Sequence, residues 1–256
     1  MSAAPARPLA GRSALVTGAG RGIGRGVAAA LADAGAEVWL VARSAGDLEE
    51  VAADIRGRGG RAHACPCDVT DAAALKQTVA ALPSLDVMVN NAGTNIPEPF
   101  VEVSEAHLDR LLELNVRAAF LAAQAAARRM LDSPDRKARG GAILNMSSQM
   151  GHVGAAGRTV YCMTKHALEG LTKAMAVELA PHGIRVNSVA PTFVETPMTR
   201  PMFERAEFRD WVYGRIPMGR LAQPQDVGAA VVFLASPAAS LVTGTSLLVD
   251  GGWTAQ

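Results

Sequence analysis

The sequence predicts an α/β fold, a doubly wound parallel sheet of about seven strands with helices on both faces. Three observations predict it. Strand-like apolar runs alternate with helix-like segments along most of the 256 residues. The strand-like runs are continuously apolar rather than alternating, as parallel strands buried on both faces require. A glycine-rich turn, "LVTGAGRGIG" from Leu15 to Gly24, joins the first apolar run to the first helical pattern. The length and a 49% hydrophobic content suit a single domain over 1–256 built on one large core.

The elements follow in order. "SALVTG" leads into a helix over 23–34, where Ala, Leu and Val recur at helical spacing. "AEVWLVAR" precedes a helix over 46–56, "RAHACPCDV" one over 71–80, and "LDVMVNNAG" a long one over 104–131. "GGAILNMSS" is followed by a helix over 159–180, "IRVNSVAP" by one over 225–235, and "TSLLVDGG" is the last strand. Residues 1–10, rich in Ala and Pro, are expected to be a disordered tail. The proline-rich stretch 191–223 follows a strand's carboxyl end and is expected to be a substrate lid carrying Met198, Met202, Phe203, Trp211 and Tyr213.

Composition excludes several function classes. Lys and Arg number 25 against 24 Asp and Glu, a net charge of +1, so no global field recruits nucleic acid or an anionic membrane. No apolar run reaches the roughly 18–20 residues that span a bilayer, and the N-terminus lacks the apolar core of a secretory signal. A soluble cytoplasmic protein is expected. Cys65, Cys67 and Cys162 form neither a C-x-x-C pair nor a zinc-like pattern with histidines, so they read as packed thiols and no metal site is expected.

Gly18, Gly20, Gly22 and Gly24 sit on a strand-to-helix turn. Residues without a β-carbon let the backbone approach a ligand closely, and the unpaired N–H groups of the next helix favour an anion such as phosphate. The strict G-x-G-x-x-G spacing is absent; T-G-x-x-x-G-x-G, Thr17 to Gly24, fits instead. A flexible turn between packed elements explains glycines alone equally well. Ligands of open parallel sheets bind beyond the strands' carboxyl ends, and polar groups recur there: Asp68-Val69, "NNAG" from Asn90 to Gly93, Ser147-Ser148 and "PTFVETPM" from Pro191. In "YCMTK", Tyr161 and Lys165 share a helix face, where the cation is expected to lower the phenol's pKa from about 10 toward neutrality. An isolated pair of this kind reads better as a surface Tyr and Lys sharing a helix face.

T-G-x-x-x-G-x-G at 17–24, "NNAG", Asn115 in "LNVRAAF", Ser148 and the Y-x-x-x-K of Tyr161 and Lys165 occur in register. Together they resemble the short-chain dehydrogenase/reductase family, from about Gly11 to Gly252. The resemblance implies a Rossmann-like fold and reversible hydride transfer between a nicotinamide cofactor and a ketone or secondary alcohol. Tyr161 would be the general acid and base, Lys165 would lower its pKa and bind the nicotinamide ribose, Ser148 would hold the substrate oxygen, and Asn115 would support a proton-relaying water. Two hydroxyl donors and a cation suit the negative charge that hydride transfer builds on a carbonyl oxygen.

The resemblance also implies cofactor contacts from Gly18, Gly20, Arg21, Gly22, Ile23, Gly24, Asp68, Val69, Asn91, Ala92, Gly93, Pro191, Val194 and Thr196. Thr192 departs from the family's usual Pro-Gly. Ala42 and Arg43 end the second strand where NAD-preferring members carry an acid, and arginine grips a 2′-phosphate with a planar fork, so NADP(H) is favoured with NAD(H) open. Arg21 is a second cation within reach, and Glu37 lies at the wrong end of that strand. By the same resemblance Thr94, Asn95, Gln149, Met150, His152, Arg158 and Phe193 line a pocket for a small polar ketone or alcohol, with His152 also readable as a surface or subunit contact. Trp253 reads as core or interface. Alanines on more than one face of the 104–131 helix, and the family's habit, imply a homotetramer. The rival readings are a catalytically silent dinucleotide-binding or regulatory protein and an epimerase or dehydratase using the same Tyr–Lys pair. Retention of Ser148, Tyr161 and Lys165 counts against the first, and the short C-terminus against the second.

Overall fold

A computed structural model describes residues 7–197 and 199–256. Seven parallel strands form one sheet: β1 (Ser13–Thr17), β2 (Glu37–Ala42), β3 (Arg61–Pro66), β4 (Val87–Asn90), β5 (Gly141–Met146), β6 (Ile184–Pro191) and β7 (Ser246–Val249), in the order β3-β2-β1-β4-β5-β6-β7. Parallel neighbours need crossovers, and α1 (Gly22–Asp33), α2 (Ala45–Gly57), α3 (Ala72–Ala80), α4 (Glu105–Leu112) with α5 (Ala118–Leu131), and α7 (Thr159–Leu179) supply them. A short α6 (Arg136–Arg139) precedes β5, and α8 (Ala206–Tyr213) and α9 (Pro224–Ala235) precede β7.

Because each strand residue points to one face or the other, the continuous apolar runs feed two cores. Val16, Leu40, Leu144 and Val189 face α1, α2 and α9 through Val27, Leu31, Val51 and Val231. Leu15, Val41, Met88 and Ile143 face α3, α5 and α7 through Leu75, Ala122, Ala126 and Ala176. The order reverses between β1 and β4, and that switch point opens the crevice in which this sheet type binds ligands. No described helix is long and apolar enough to cross a membrane.

Two expectations need correction. Of the expected disordered tail 1–10, residues 1–6 lie outside the described residues, but residues 7–10 are built into the fold. Leu9 is buried in the first core, and its N–H donates to the Ala34 carbonyl at 3.0 Å. A single leucine gains enough by burial to anchor a short segment. The helix over 104–131 is continuous in the chain but changes winding, with a π-turn at Glu113–Arg117 between α4 and α5. Such widened turns mark functional sites, and this one carries Asn115. In the expected lid, Met198 lies outside the described residues, and α8 and a short 3-10 turn (Arg200–Glu204) supply its regular structure.

Candidate active site

The glycine turn is shaped by its packing. A β-carbon on Gly24 would stand 2.1 Å from the Gly18 carbonyl oxygen, and Gly18 itself holds a φ of +65°. From the end of β4, Asn91 donates its amide to the carbonyls of Thr17 (2.9 Å) and Gly18 (3.2 Å), while Thr17 Oγ1 accepts the Asn91 and Ala92 N–H groups. Asn91 and Ala92 therefore act on the turn from behind. Asn90 donates its amide to Asn145 Oδ1 on β5 and to the Ala119 carbonyl of α5. No side chain caps α1 after Arg21, so the N–H groups around Ile23 remain open, whereas Ser44, Asp71 and Ser104 cap α2, α3 and α4.

The adjoining rim carries the expected adenosine-side residues. Arg21 and Arg43 are exposed. Asp68 accepts from the Thr70 N–H (3.0 Å) and hydroxyl (2.8 Å), which with the Arg43 charge hold its carboxyl below the usual range, and Val69 is buried beside it. Glu37 is paired with His63 at the far end of β2. One carboxylate here escaped the sequence reading: Asp47, in the first turn of α2, lies 3.8 Å from where a Gly20 β-carbon would stand.

Beyond β5 and β6 the polar groups converge. Ser148 donates to Gln149 Oε1 at 2.7 Å and accepts from the Met150 N–H at 3.1 Å, and all three residues are buried. Gln149 thus orients the serine rather than lining a wall. Lys165 is buried, donates to the Met146 carbonyl at 2.8 Å and stands 5.4 Å from the Tyr161 ring centroid. Asn115 is likewise buried; its amide donates to Thr94 O (2.8 Å) and Thr164 Oγ1 (3.2 Å) and its oxygen accepts the Thr94 N–H (2.9 Å). Its side chain ties α4–α5 and α7 to the loop after Gly93.

The expected lowering of the Tyr161 pKa is reversed in the protein alone. Burial pushes the phenol up to about 12, opposed by the Ser148 hydroxyl and the Arg158 charge. Burial also pulls Lys165 down to about 8, opposed by Glu169. Desolvation disfavours both charged forms more than their proximity favours them.

Two pocket expectations move elsewhere. His152 turns to Ser246 Oγ (2.9 Å) and the buried Glu169 (3.4 Å), which also accepts from Ser188. Phe193 packs edge-on against Phe203 (5.9 Å) and Phe208 (5.6 Å) and tilts against Trp253 (5.9 Å), so its ring belongs to the small core of the 191–223 region, and Trp253 is core. Aromatic side chains favour such mutual burial over an open wall. Tyr213 and Trp211 are partly exposed, and Met202 lies in the 3-10 turn.

Among the described residues, Ser13 Oγ, Asn90 Oδ1, Asn95 Oδ1, Ser147 Oγ and Thr192 Oγ1 are buried without a hydrogen-bond partner. Ser13 starts β1 at the opposite end of the sheet, whereas the other four end or follow a strand at its carboxyl end, where Pro191, Val194 and Thr196 also lie. A β-carbon on Gly22 would stand 3.6 Å from Thr196 Cγ2, so the glycine turn and the segment after β6 face each other. A narrow glycine cradle, an uncapped helix start and orphaned polar atoms along one edge fit an elongated ligand bearing phosphate and amide groups.

Comparison with known proteins agrees. Residues 18–254 match the family model described as Enoyl-(Acyl carrier protein) reductase. The chain is 42% identical over 249 residues to L-xylulose reductase of Bos taurus, covering 96% of this chain and 98% of that protein. It is 42% identical over 245 residues to D-erythrulose reductase of Gallus gallus, covering 95% and 96%. A solved gluconate 5-dehydrogenase of Burkholderia cenocepacia, in complex with NADP and tartrate, superposes with a TM-score of 0.91 at 35% identity, covering 97% of each chain.

Proposed function

Since the chain belongs to the short-chain dehydrogenase/reductase family, we propose that it interconverts a polyol- or sugar-type secondary alcohol and its ketone with NADP(H), with Tyr161 exchanging the proton. Hydride transfer between a nicotinamide cofactor and a CH–OH or carbonyl carbon is the reaction class of the family members it matches. The observation that carries the reading of the site is the buried Ser148 beside Tyr161, with the Lys165 ammonium 5.4 Å from the ring.

The cofactor, when bound, supplies or accepts the hydride. The protein's part is the oxygen. Ser148 turns its hydroxyl from Gln149 to the substrate oxygen, and Tyr161, protonated at neutral pH, donates to the same atom and gives up its proton as charge develops. Lys165 stabilises the phenolate left behind. In alcohol oxidation the roles reverse. Asn115 fixes the loop after Gly93 and the flank of α7 through Thr94 and Thr164. The residues from Gly18 to Gly24 would hold the diphosphate, Asp68 and Val69 the adenine side, and Pro191, Val194 and Thr196 the nicotinamide side, with the 191–223 segment as lid.

Arg43 and Arg21, both exposed on the adenosine side, support a 2′-phosphate and therefore NADP(H). Asp47 over Gly20 favours the second reading, NAD(H), since a carboxylate repels phosphate and accepts from a ribose hydroxyl. Exposed Phe120 on α5 and Met163 and Val177 on α7 support assembly into a homotetramer through these helices. Three free thiols suit the reducing cytoplasm.

The test is NADPH consumption with L-xylulose, erythrulose and other ketoses. Tyr161→Phe should lower kcat by about a hundredfold or more while NADPH affinity stays within about threefold. Retained turnover in that variant would sink the assigned mechanism. Arg43→Ala should weaken NADPH but not NADH.

A further inference from the structure

A buried carboxylate lies one helical turn beyond Lys165. Tyr161, Lys165 and Glu169 follow one another at four-residue spacing on α7, so they line one face of the helix. Lys165 is 5% exposed and Glu169 7%. The carboxylate is served from two strands: Ser188 on β6 donates to Oε2 at 2.8 Å, and Ser246 on β7 donates to Oε1 at 3.2 Å. The two serines are opposite each other in the sheet register, and Ser188 is wholly buried. His152 Nε2 lies 2.9 Å from the Ser246 hydroxyl and 3.4 Å from Glu169 Oε1.

Burying an ionised carboxylate is costly, and two hydroxyls with an imidazole return only part of that cost. Among the described residues no Lys or Arg pairs with Glu169 within 4 Å, and Lys165 Nζ donates to the Met146 carbonyl at 2.8 Å. The two buried groups therefore act on each other through space, where the interior screens charge less than water does. We propose that Glu169 is a positioning residue for the reaction, the fixed counter-charge that keeps the Lys165 ammonium protonated beside Tyr161. The inference rests on the dehydrogenase reading above and gives Glu169 no contact with the reacting atoms.

Few other charges bear on Lys165. On α7 the remaining titratable neighbours are the Tyr161 phenol, the buried Cys162 thiol, and the exposed His166 and Lys173, while Arg158 precedes the helix on the Tyr161 side. From β5 comes the Met146 carbonyl, and from the 149–151 turn the neutral Gln149 amide. Arg185 of β6 turns away to the Leu234 carbonyl at the end of α9. On α4 and the π-turn, Glu105, Asp109 and Arg110 are exposed, His107 pairs with Glu98, and Glu113 pairs with Arg117. Burial pulls Lys165 down to about 8, and Glu169 is the charge that opposes it. Without that carboxylate burial acts unopposed, and the ammonium is lost nearer neutrality.

Lysine labelled with carbon-13 at the ε position gives NMR signals for Lys76, Lys137, Lys165 and Lys173, and Lys165→Met identifies the one from the site. The Lys165 midpoint should lie near 8 in the unaltered protein and about one pH unit lower in Glu169→Gln, which keeps the shape and removes the charge. Glu169→Asp, which keeps the charge, should move it by less than half as much. Ketose reduction with NADPH should follow: the alkaline limb of kcat moves down with the midpoint, while the plateau near about pH 6 stays within about threefold. A carboxylate that serves the fold alone would lower the plateau and leave both midpoints in place, and that result overturns the proposal. So does a Lys165 midpoint that moves by less than about 0.3 units in Glu169→Gln. Where circular dichroism shows that Glu169→Gln does not fold, Glu169→Met with Ser188→Ala and Ser246→Ala replaces the cluster by apolar groups and carries the same expectation. A shifted midpoint in a protein that reduces no ketone overturns the dehydrogenase reading, and this role with it.

Discussion

Asn91 and Thr17 hold each other twice: the Asn91 N–H donates to Thr17 Oγ1 at 3.0 Å, and the Asn91 amide donates to the Thr17 carbonyl at 2.9 Å. The end of β4 is thereby locked to the start of the glycine turn, across the switch point of the sheet. Asn91→Ala would strand the Thr17 and Gly18 carbonyls and loosen the turn. NADPH affinity should fall by about tenfold, with stability lower by about 1–3 kcal/mol, as measured by fluorescence titration and urea unfolding. Unchanged affinity would mean that the turn holds its shape without this clamp.

Two glycines should respond oppositely to alanine. A β-carbon on Gly24 would stand 2.1 Å from Gly18 O and 2.6 Å from the Asn91 amide, so Gly24→Ala must push the turn apart, abolishing cofactor binding and lowering Tm. Gly46, inside α2, has nothing within 4 Å of its β-carbon position. Gly46→Ala should raise stability by about 0.5–1 kcal/mol through helix propensity alone. Paired thermal melts decide both.

The pH dependence follows from Tyr161, pushed up to about 12, and Lys165, pulled down to about 8. Ketone reduction needs a protonated phenol and should be flat through neutrality, then fall above about pH 8 as the ammonium is lost. Alcohol oxidation needs the phenolate and should rise with alkaline pH. Stability carries a separate signature. Between about pH 8 and 10.5 the unfolded chain binds the lysine proton that the folded protein has released, so Lys165 contributes a rise of stability with pH in that window, opposed from about pH 9 upward by the raised Cys65 and Cys67 thiols and the raised Tyr161 phenol. Urea titrations of Lys165→Met should lack this rise.

The strands and helices were legible because apolar runs and helical spacing are local properties, and the site was legible where its motifs lie in sequence beside strand ends. What local pattern hides is what distant segments do to one another. The residues 104–131 read as one uniform helix, and nothing in "LLELNVRAAF" announces the π-turn around Asn115. Helical spacing put Tyr161 beside Lys165, but the sign of the Tyr161 shift depends on burial by the surrounding fold. Phe193 looked like a wall until Phe203, Phe208 and Trp253 enclosed it, and Phe208 carried no signal of its own. Leu9, within an Ala/Pro-rich tail, is held by the end of α1.

The largest structural feature that sequence spacing concealed is Asp86, immediately before β4 and 1% exposed. It meets Arg136 at 3.1 Å, Arg139 at 2.7 Å and Arg12 at 3.5 Å, and accepts the Ser13 N–H at 3.0 Å. Burial alone would raise its pKa, yet these donors hold it down to about 2. A carboxylate so depressed contributes stability that is full above its unfolded value near 3.8 and lost as pH falls toward about 2. Asp86→Asn would leave three guanidiniums facing one another without a counter-charge, one of them, Arg136, only 5% exposed. Breaking a buried pair costs about 3–5 kcal/mol, and the partial exposure of Arg12 and Arg139 places the expected loss toward the lower end of that range. The cluster lies at the amino ends of the strands, across the sheet from Tyr161, so the variant should keep its kcat at low temperature while its Tm falls. Its stability should also vary less with pH between about 4 and 2 than that of the unaltered protein. A loss of kcat without a loss of Tm would show that the two ends of the sheet are coupled in a way that packing alone does not produce.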